Sequence, residues 1–314
     1  MKNANFQTLV EDVKISIRFA YKNAISYILA LFGVLIISVI LLVFVAIMIF
    51  VPLFFATNGM EGMIAFFESF DPTSGFQIAN VAVGAILIMT PLLAPFFVAI
   101  GALFGMGREI VESEGTSAEG VFTWYKKRFF SLAGGGIILF LTVLGPLLIA
   151  LLIGTAIYGA SFFNVALIGI GNTNSLSPFL TGLLLIWFAV SMGLLSMMFP
   201  AIIDGYSVID AVKKSVRMSI TYFDRVFGIW MSYLVILAAL IIPMVGISFT
   251  TGVYEPLAIV LGIYSIPAIL ILLFIYIPAV TIGLTRVYMI LTADDEFETI
   301  SQDDESGPSF IGGL

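Results

Sequence analysis

From Ala24 to Ala56 the chain carries no charged residue. As a helix this run would extend about 50 Å, well beyond the ~30 Å hydrocarbon core of a bilayer. Lipid offers the backbone no hydrogen-bond partners, so a run that crosses it must be a helix or part of a closed barrel. Barrel strands alternate apolar and polar residues over about ten positions, and this run does not alternate. It is also about twice the length of the apolar core of a signal peptide, and is read as a retained first span. Five further apolar runs predict spans at 81–106, 131–158, 179–203, 226–249 and 257–284. Composition agrees, since only 11% of residues are charged against about a quarter in soluble domains. The expected fold class is all-α, a polytopic helical bundle of six transmembrane helices. Pro52 is expected to break off the outer end of the first span.

Charge gives the orientation. All 13 lysines and arginines fall before the first span, in the connections 107–130 and 204–225, or after the sixth span. The positive-inside rule makes that side cytoplasmic. The expectation is a multi-pass protein of the cytoplasmic membrane with both termini inside. The net charge of −7 arises largely from seven carboxylates between Asp294 and Glu305. Residues 294–314 therefore read as an acidic, disordered tail following a membrane domain over 1–293.

Each basic segment before an odd-numbered span has the form of an amphipathic interfacial helix. The third is the clearest: Asp210, Lys213, Lys214 and Arg217 share one face, and Val208, Ile209, Val212, Val216 and Ile220 share another. Ser207 and Asp210 have the spacing of a capping box, as do Thr8 with Glu11 and Thr116 with Glu119. A cation follows ten residues after each cap, at Arg18, Lys126 and Arg217, with aromatic residues next. Pro95, Pro200 and Pro278 each precede a glycine by five or six positions near the basic ends of the even spans. These coincidences predict a threefold parallel pseudo-repeat over about 6–106, 107–204 and 205–293, each unit an interfacial helix and two spans. Because each unit holds two spans, the repeats share one orientation, unlike the inverted repeats of many transporters.

The stretch Ala201-Ile-Ile-Asp-Gly-Tyr-Ser-Val-Ile-Asp-Ala-Val-Lys-Lys-Ser-Val-Arg217, followed by Tyr222-Phe-Asp-Arg-Val-Phe227, resembles a group of uncharacterised prokaryotic six-span membrane proteins. That group is similar to the membrane domain attached to some glycerophosphodiester phosphodiesterases. The resemblance implies the six-span topology and supplies no catalytic residues. The soluble phosphodiesterase domain, with its metal-binding carboxylates and histidines, is absent from these residues.

The chain has neither histidine nor cysteine, which removes the commonest metal ligand, the commonest general base and any thiolate chemistry. No ionisable residue falls at mid-depth in a span, where its cost would have to be justified by use. No catalytic residue, metal or cofactor is expected. Lys14, Arg18, Lys126, Lys127, Arg128, Lys213, Lys214 and Arg217 are the candidates for contact with anionic lipid headgroups, a protein partner or a second copy. Nucleic acid is not expected, because the basic stretches are short and interleaved with acids. Pro91, Pro95, Pro267 and Pro278 are candidate kink sites that would expose carbonyls in a transporter. The leading expectation is a non-enzymatic scaffolding, assembly or lipid-interacting protein. A small transporter or channel is the alternative, and a membrane enzyme of lipid metabolism the weaker one.

Overall fold

A computed structural model describes residues 5–69, 75–113, 115–158, 176–250 and 255–305, and among them every regular element is helical. Six helical segments are long and apolar enough to cross a membrane: Ala24–Ala56, Val83–Ser113, Phe129–Pro146, Leu185–Asp204, Phe223–Met244 and Glu255–Ala293. The chain has the build of a multi-pass membrane protein. In order, the helices are α1 (Phe6–Lys22), α2 (Ala24–Ala56), α3 (Met60–Glu68), α4 (Gly75–Ser113), α5 (Ala118–Lys127) and α6 (Phe129–Tyr158). They continue as α7 (Leu176–Leu195), α8 (Met198–Asp204), α9 (Val208–Thr221), α10 (Phe223–Thr250), α11 (Glu255–Ile271) and α12 (Ile277–Glu305), with a π-helical turn at Leu272–Tyr276.

The basic helices α1, α5 and α9 each run into a span through a single residue. These elbows are Asn23 (φ −107°, ψ 14°), Arg128 (φ −121°, ψ 20°) and Tyr222 (φ −115°, ψ 45°), all with nearly the same backbone conformation. Only one of the expected caps forms as read. Ser207 accepts from the backbone N–H of Asp210 at 3.3 Å. In α1 the cap is Asn5, one turn earlier, which accepts from Thr8 N–H at 2.9 Å; asparagine is a stronger N-cap than threonine. Thr116 caps nothing, because its hydroxyl donates to Glu109 Oε2 at the end of α4, 2.6 Å away.

Proline governs the even spans. Its ring clashes with the carbonyl four residues back. Four residues before Pro200 lies Ser196, in the break between α7 and α8, and four before Pro278 lies Phe274, within the π-turn. Pro91, Pro95 and Pro267 sit inside α4 and α11, which keep helical bonding through them. Pro52 does not end the first span as expected: α2 continues through it to Ala56, the missing donor affecting only the final turns. The backbone of α12 is helical to Glu305, since extending a formed helix through Ala293, Glu296, Glu298 and Gln302 requires no new nucleation. Residues 306–314 of the expected tail, and the connection after the third span as far as residue 175, lie outside the described residues.

Helix α4 is the hub, packing against α2, α5, α6, α8 and α12. Close approach is made possible by glycine. Gly101 and Gly105 of the GxxxG stretch face Leu132 and Trp124, so this motif serves packing within the chain. On α6, Gly134 faces Val208 of α9, Gly135 faces Ile202 of α8, and Gly136 faces Phe97 of α4. Three neighbours thus approach one turn.

A methyl group at Gly136 would fall inside contact distance of Phe97 Cβ, which cannot rotate away, whereas one at Gly145 meets nothing within 4 Å. Gly136→Ala should destabilise the protein by about 1–3 kcal/mol, and Gly145→Ala should be neutral or stabilising by roughly 0.5–1 kcal/mol. Thermal unfolding of the two variants in detergent measures the difference.

Candidate functional site

The three basic helices each pack against an even-numbered span. Helix α5 lies on α4, α9 lies on α7 and α8, and α1 lies on α12. On α9 the residues turned into the protein are small or hydroxylic, Ala211, Ser215 and Ser219 with Met218, while Ile209 and Ile220 point outward at 63% and 66% exposure. The sequence reading gave this helix two faces, water and oil. The inward face escaped it because Ala and Ser carry almost no hydropathy signal.

Those inward hydroxyls serve the broken fourth span. Ser215 Oγ donates to Leu194 O at 2.7 Å and accepts from Met197 N–H at 3.2 Å. Ser219 Oγ lies 3.2 Å from both Gly193 O and Leu194 O. Backbone groups orphaned by the break are thereby satisfied without water. The other two basic helices also reach carbonyls of the spans through hydroxyls. From α1, Ser16 Oγ meets Tyr233 OH at 2.6 Å, and Tyr233 donates on to Ala279 O at 2.9 Å, beside Pro278. From α5, Tyr125 donates to Pro95 O at 3.4 Å, where Ser38 also donates at 3.1 Å. Burial pushes the Tyr125 phenol above its ordinary value, the Ser38 bond opposing this, so it remains a donor at neutral pH.

Three inward carboxylates hold elements together. Asp12 of α1, with 5% of its side chain exposed, receives Arg225 Nη2 at 3.2 Å and also pairs with Arg286. Arg108 bonds Asp204 at 2.9 Å and Glu112 at 2.8 Å, and Tyr288 donates to the other oxygen of Asp204 at 2.9 Å. Glu109 accepts from Thr116 and, at 2.9 Å, from Trp124 Nε1. The carboxylate oxygens of Asp12, Asp204 and Glu109 thus act as anchors between elements. Among the described residues no three carboxylates gather into a cluster that could hold a metal.

The candidate contact residues are not brought to one site. Lys14, Arg18, Lys126, Lys127, Lys213 and Arg217 are exposed on three separate helices, and Lys127 lies over the Trp124 ring at 5.2 Å. Lys214 is half-buried, donates to Tyr206 OH at 2.8 Å and lies over the rings of Tyr206 and Tyr288. Arg128 is half-buried at its elbow. Sequence reasoning missed Asp12, Arg225 and Arg286. A signal existed: Asp12, Ser16 and Ala20 recur every four residues, placing a carboxylate on a stripe of small residues.

No family model, curated protein or solved structure matches the chain.

Replacing Asp12 by alanine leaves two arginines facing each other with little solvent. Asp12→Ala should lower stability by about 3–5 kcal/mol, read by thermal or denaturant unfolding. Ser215→Ala should remove about 1–3 kcal/mol by orphaning backbone groups at the break, and a conservative Ser215→Thr should recover part of it.

Proposed function

We propose that this chain is a non-enzymatic scaffold of the cytoplasmic membrane whose three basic helices lie in the inner headgroup layer and engage anionic lipid, with both termini on that side. One observation carries the reading: α1 and α9, which expose cations without an ion pair among the described residues, also expose large apolar side chains. Phe6 and Tyr21 are exposed on the helix of Lys14 and Arg18, and Ile209 and Ile220 on the helix of Lys213 and Arg217, while α5 adds the exposed Lys126 and Lys127. An outward pairing of apolar residues and unpaired cations suits a helix held in the plane of a membrane surface. Contact with a protein partner or a second copy would use the same cations.

The threefold arrangement is part of the proposal. Its support is the repeated packing of a basic helix on the even span before it, closing from α1 to α12, and the like conformation of the three elbows. Likewise, kinship with the six-span group that residues 201–230 resemble rests on those residues.

Transport is the second reading, favoured by the break before Pro200 and the π-turn before Pro278, since discontinuous helices form many transport sites. Against it, the carbonyls of Gly193, Leu194, Pro95 and Ala279 already accept hydroxyls from the chain itself. Between the units, Gly107 approaches Thr281 O closely and Gly283 packs under the Tyr233 hydroxyl.

Lys213→Glu with Arg217→Glu should lower the preference for spin-labelled phosphatidylglycerol over phosphatidylcholine in reconstituted bilayers by about tenfold or more, at about 1 kcal/mol per basic residue. An unchanged preference in well-folded protein would remove the lipid reading.

A further inference from the structure

We propose that Arg128, at the elbow between α5 and α6, is a discrete binding site for a phosphate group, carried by an anionic phospholipid. This deepens the lipid reading above and rests on it. Four arginines turn toward the protein at the basic end. Three have carboxylates: Arg225 and Arg286 share Asp12, and Arg108 holds Asp204 and Glu112. Arg128 forms no ion pair among the described residues. Its Nε–H, like that of Arg225, is shut off from solvent with no acceptor, but Arg225 has Asp12 to balance its charge. A guanidinium that has lost part of its hydration and gained no acceptor is costly, and an anion at its open edge offsets that cost.

The surroundings fit a phosphate. Nη2 lies against Gly205, where an added methyl group would stand 3.2 Å from it. Gly205 holds φ +116°, a left-handed conformation that disfavours side chains, so this side stays open to the guanidinium. The neighbouring Asp204 does not compete, because Arg108 and Tyr288 engage both its oxygens. The pseudo-repeat sharpens the contrast. Just past the third elbow Arg225 meets Asp12 of α1, and the position of α9 that corresponds to Asp12 by the 199-residue offset between the elbows at 23 and 222 is Ala211. The second elbow meets a helix without that carboxylate, and the bound anion takes its place. Depth selects the source. Phe130, two positions along, is 85% exposed on the flank of a span, and Lys126 and Lys127, the two residues immediately before, are exposed. Arg128 thus stands where apolar surface meets charge, the depth of lipid phosphates, and its planar fork suits two phosphate oxygens.

The test uses the full chain in bilayers of phosphatidylcholine doped with phosphatidylglycerol, with bound lipid counted by native mass spectrometry and unfolding temperature recorded in parallel. Arg128→Gln should remove one tightly held phosphatidylglycerol, with about a tenfold loss of affinity. Lys126→Gln with Lys127→Gln should lower it by less than about threefold. Arg128→Lys, which keeps the charge and loses the fork, should fall between wild type and Arg128→Gln, and it decides the matter if the glutamine variant does not fold. Competition by inorganic phosphate at modest concentration would overturn the assignment to a lipid in favour of a soluble phosphate ligand. Wild-type binding by both Arg128 variants would overturn the site while leaving the broader reading intact if the two lysines carry the effect. Equal binding of phosphatidylcholine and phosphatidylglycerol by all variants would sink both.

Discussion

Asp12 ties the beginning of the chain to its end. Its partners lie 213 and 274 positions away, on the first turn of α10 and on α12, so a helix that could otherwise drift on the membrane surface is fixed against the last unit. Burying three charged groups is not an obvious way to add stability, since well-packed apolar residues often do as well. What the arrangement supplies is exclusivity. Among the inward carboxylates, Asp12 is placed to take both arginines at once, which sets how α1 docks against α10 and α12.

The packing of α9 is also a solution to a backbone problem. Proline near the basic end of the fourth and sixth spans disturbs the helical ladder, and in lipid no water can repair it. A break or π-turn relieves the clash, and at the break Ser215 and Ser219 of α9 satisfy the freed groups. Helices α1 and α9 therefore keep small or hydroxylic residues inward. Ser16, Ala20, Ala211 and Ser215 are buried on such faces, while α5 turns Gly120, Val121 and Tyr125 inward.

The spans were legible because long charge-free runs have few other outcomes. Their inner ends were less so: α6 and α10 begin at Phe129 and Phe223, two and three residues before the expected starts, because an elbow is a backbone event without a hydropathy signature. Caps were misread at Thr8 and Thr116 for a related reason. The capping pattern records which residues are able to cap, and Asn5 and Glu109 competed for the same groups through contacts that spacing does not encode. The cations were found, but not their sorting. Whether an arginine faces lipid or a carboxylate 200 residues away depends on tertiary placement, and Arg225 sits one turn from the exposed Ile220 with nothing local to distinguish it.

Side-chain chemistry explains part of that sorting. The inward cations that share carboxylates are all arginines, whose fork can bond one carboxylate while leaving donors for another. Four of the six fully exposed candidates are lysines, compact charges that remain strongly hydrated. The charge available to attract an anionic surface is accordingly smaller than the composition of the basic segments suggests. Arg108, Arg225 and Arg286 are neutralised within the protein by Asp12, Asp204 and Glu112, so the unpaired positive charge lies on the outward faces of α1, α5 and α9. A bundle built this way uses one set of cations to fix its helices and leaves another outward, and it is the second set, with Arg128, that the proposed lipid contact would use.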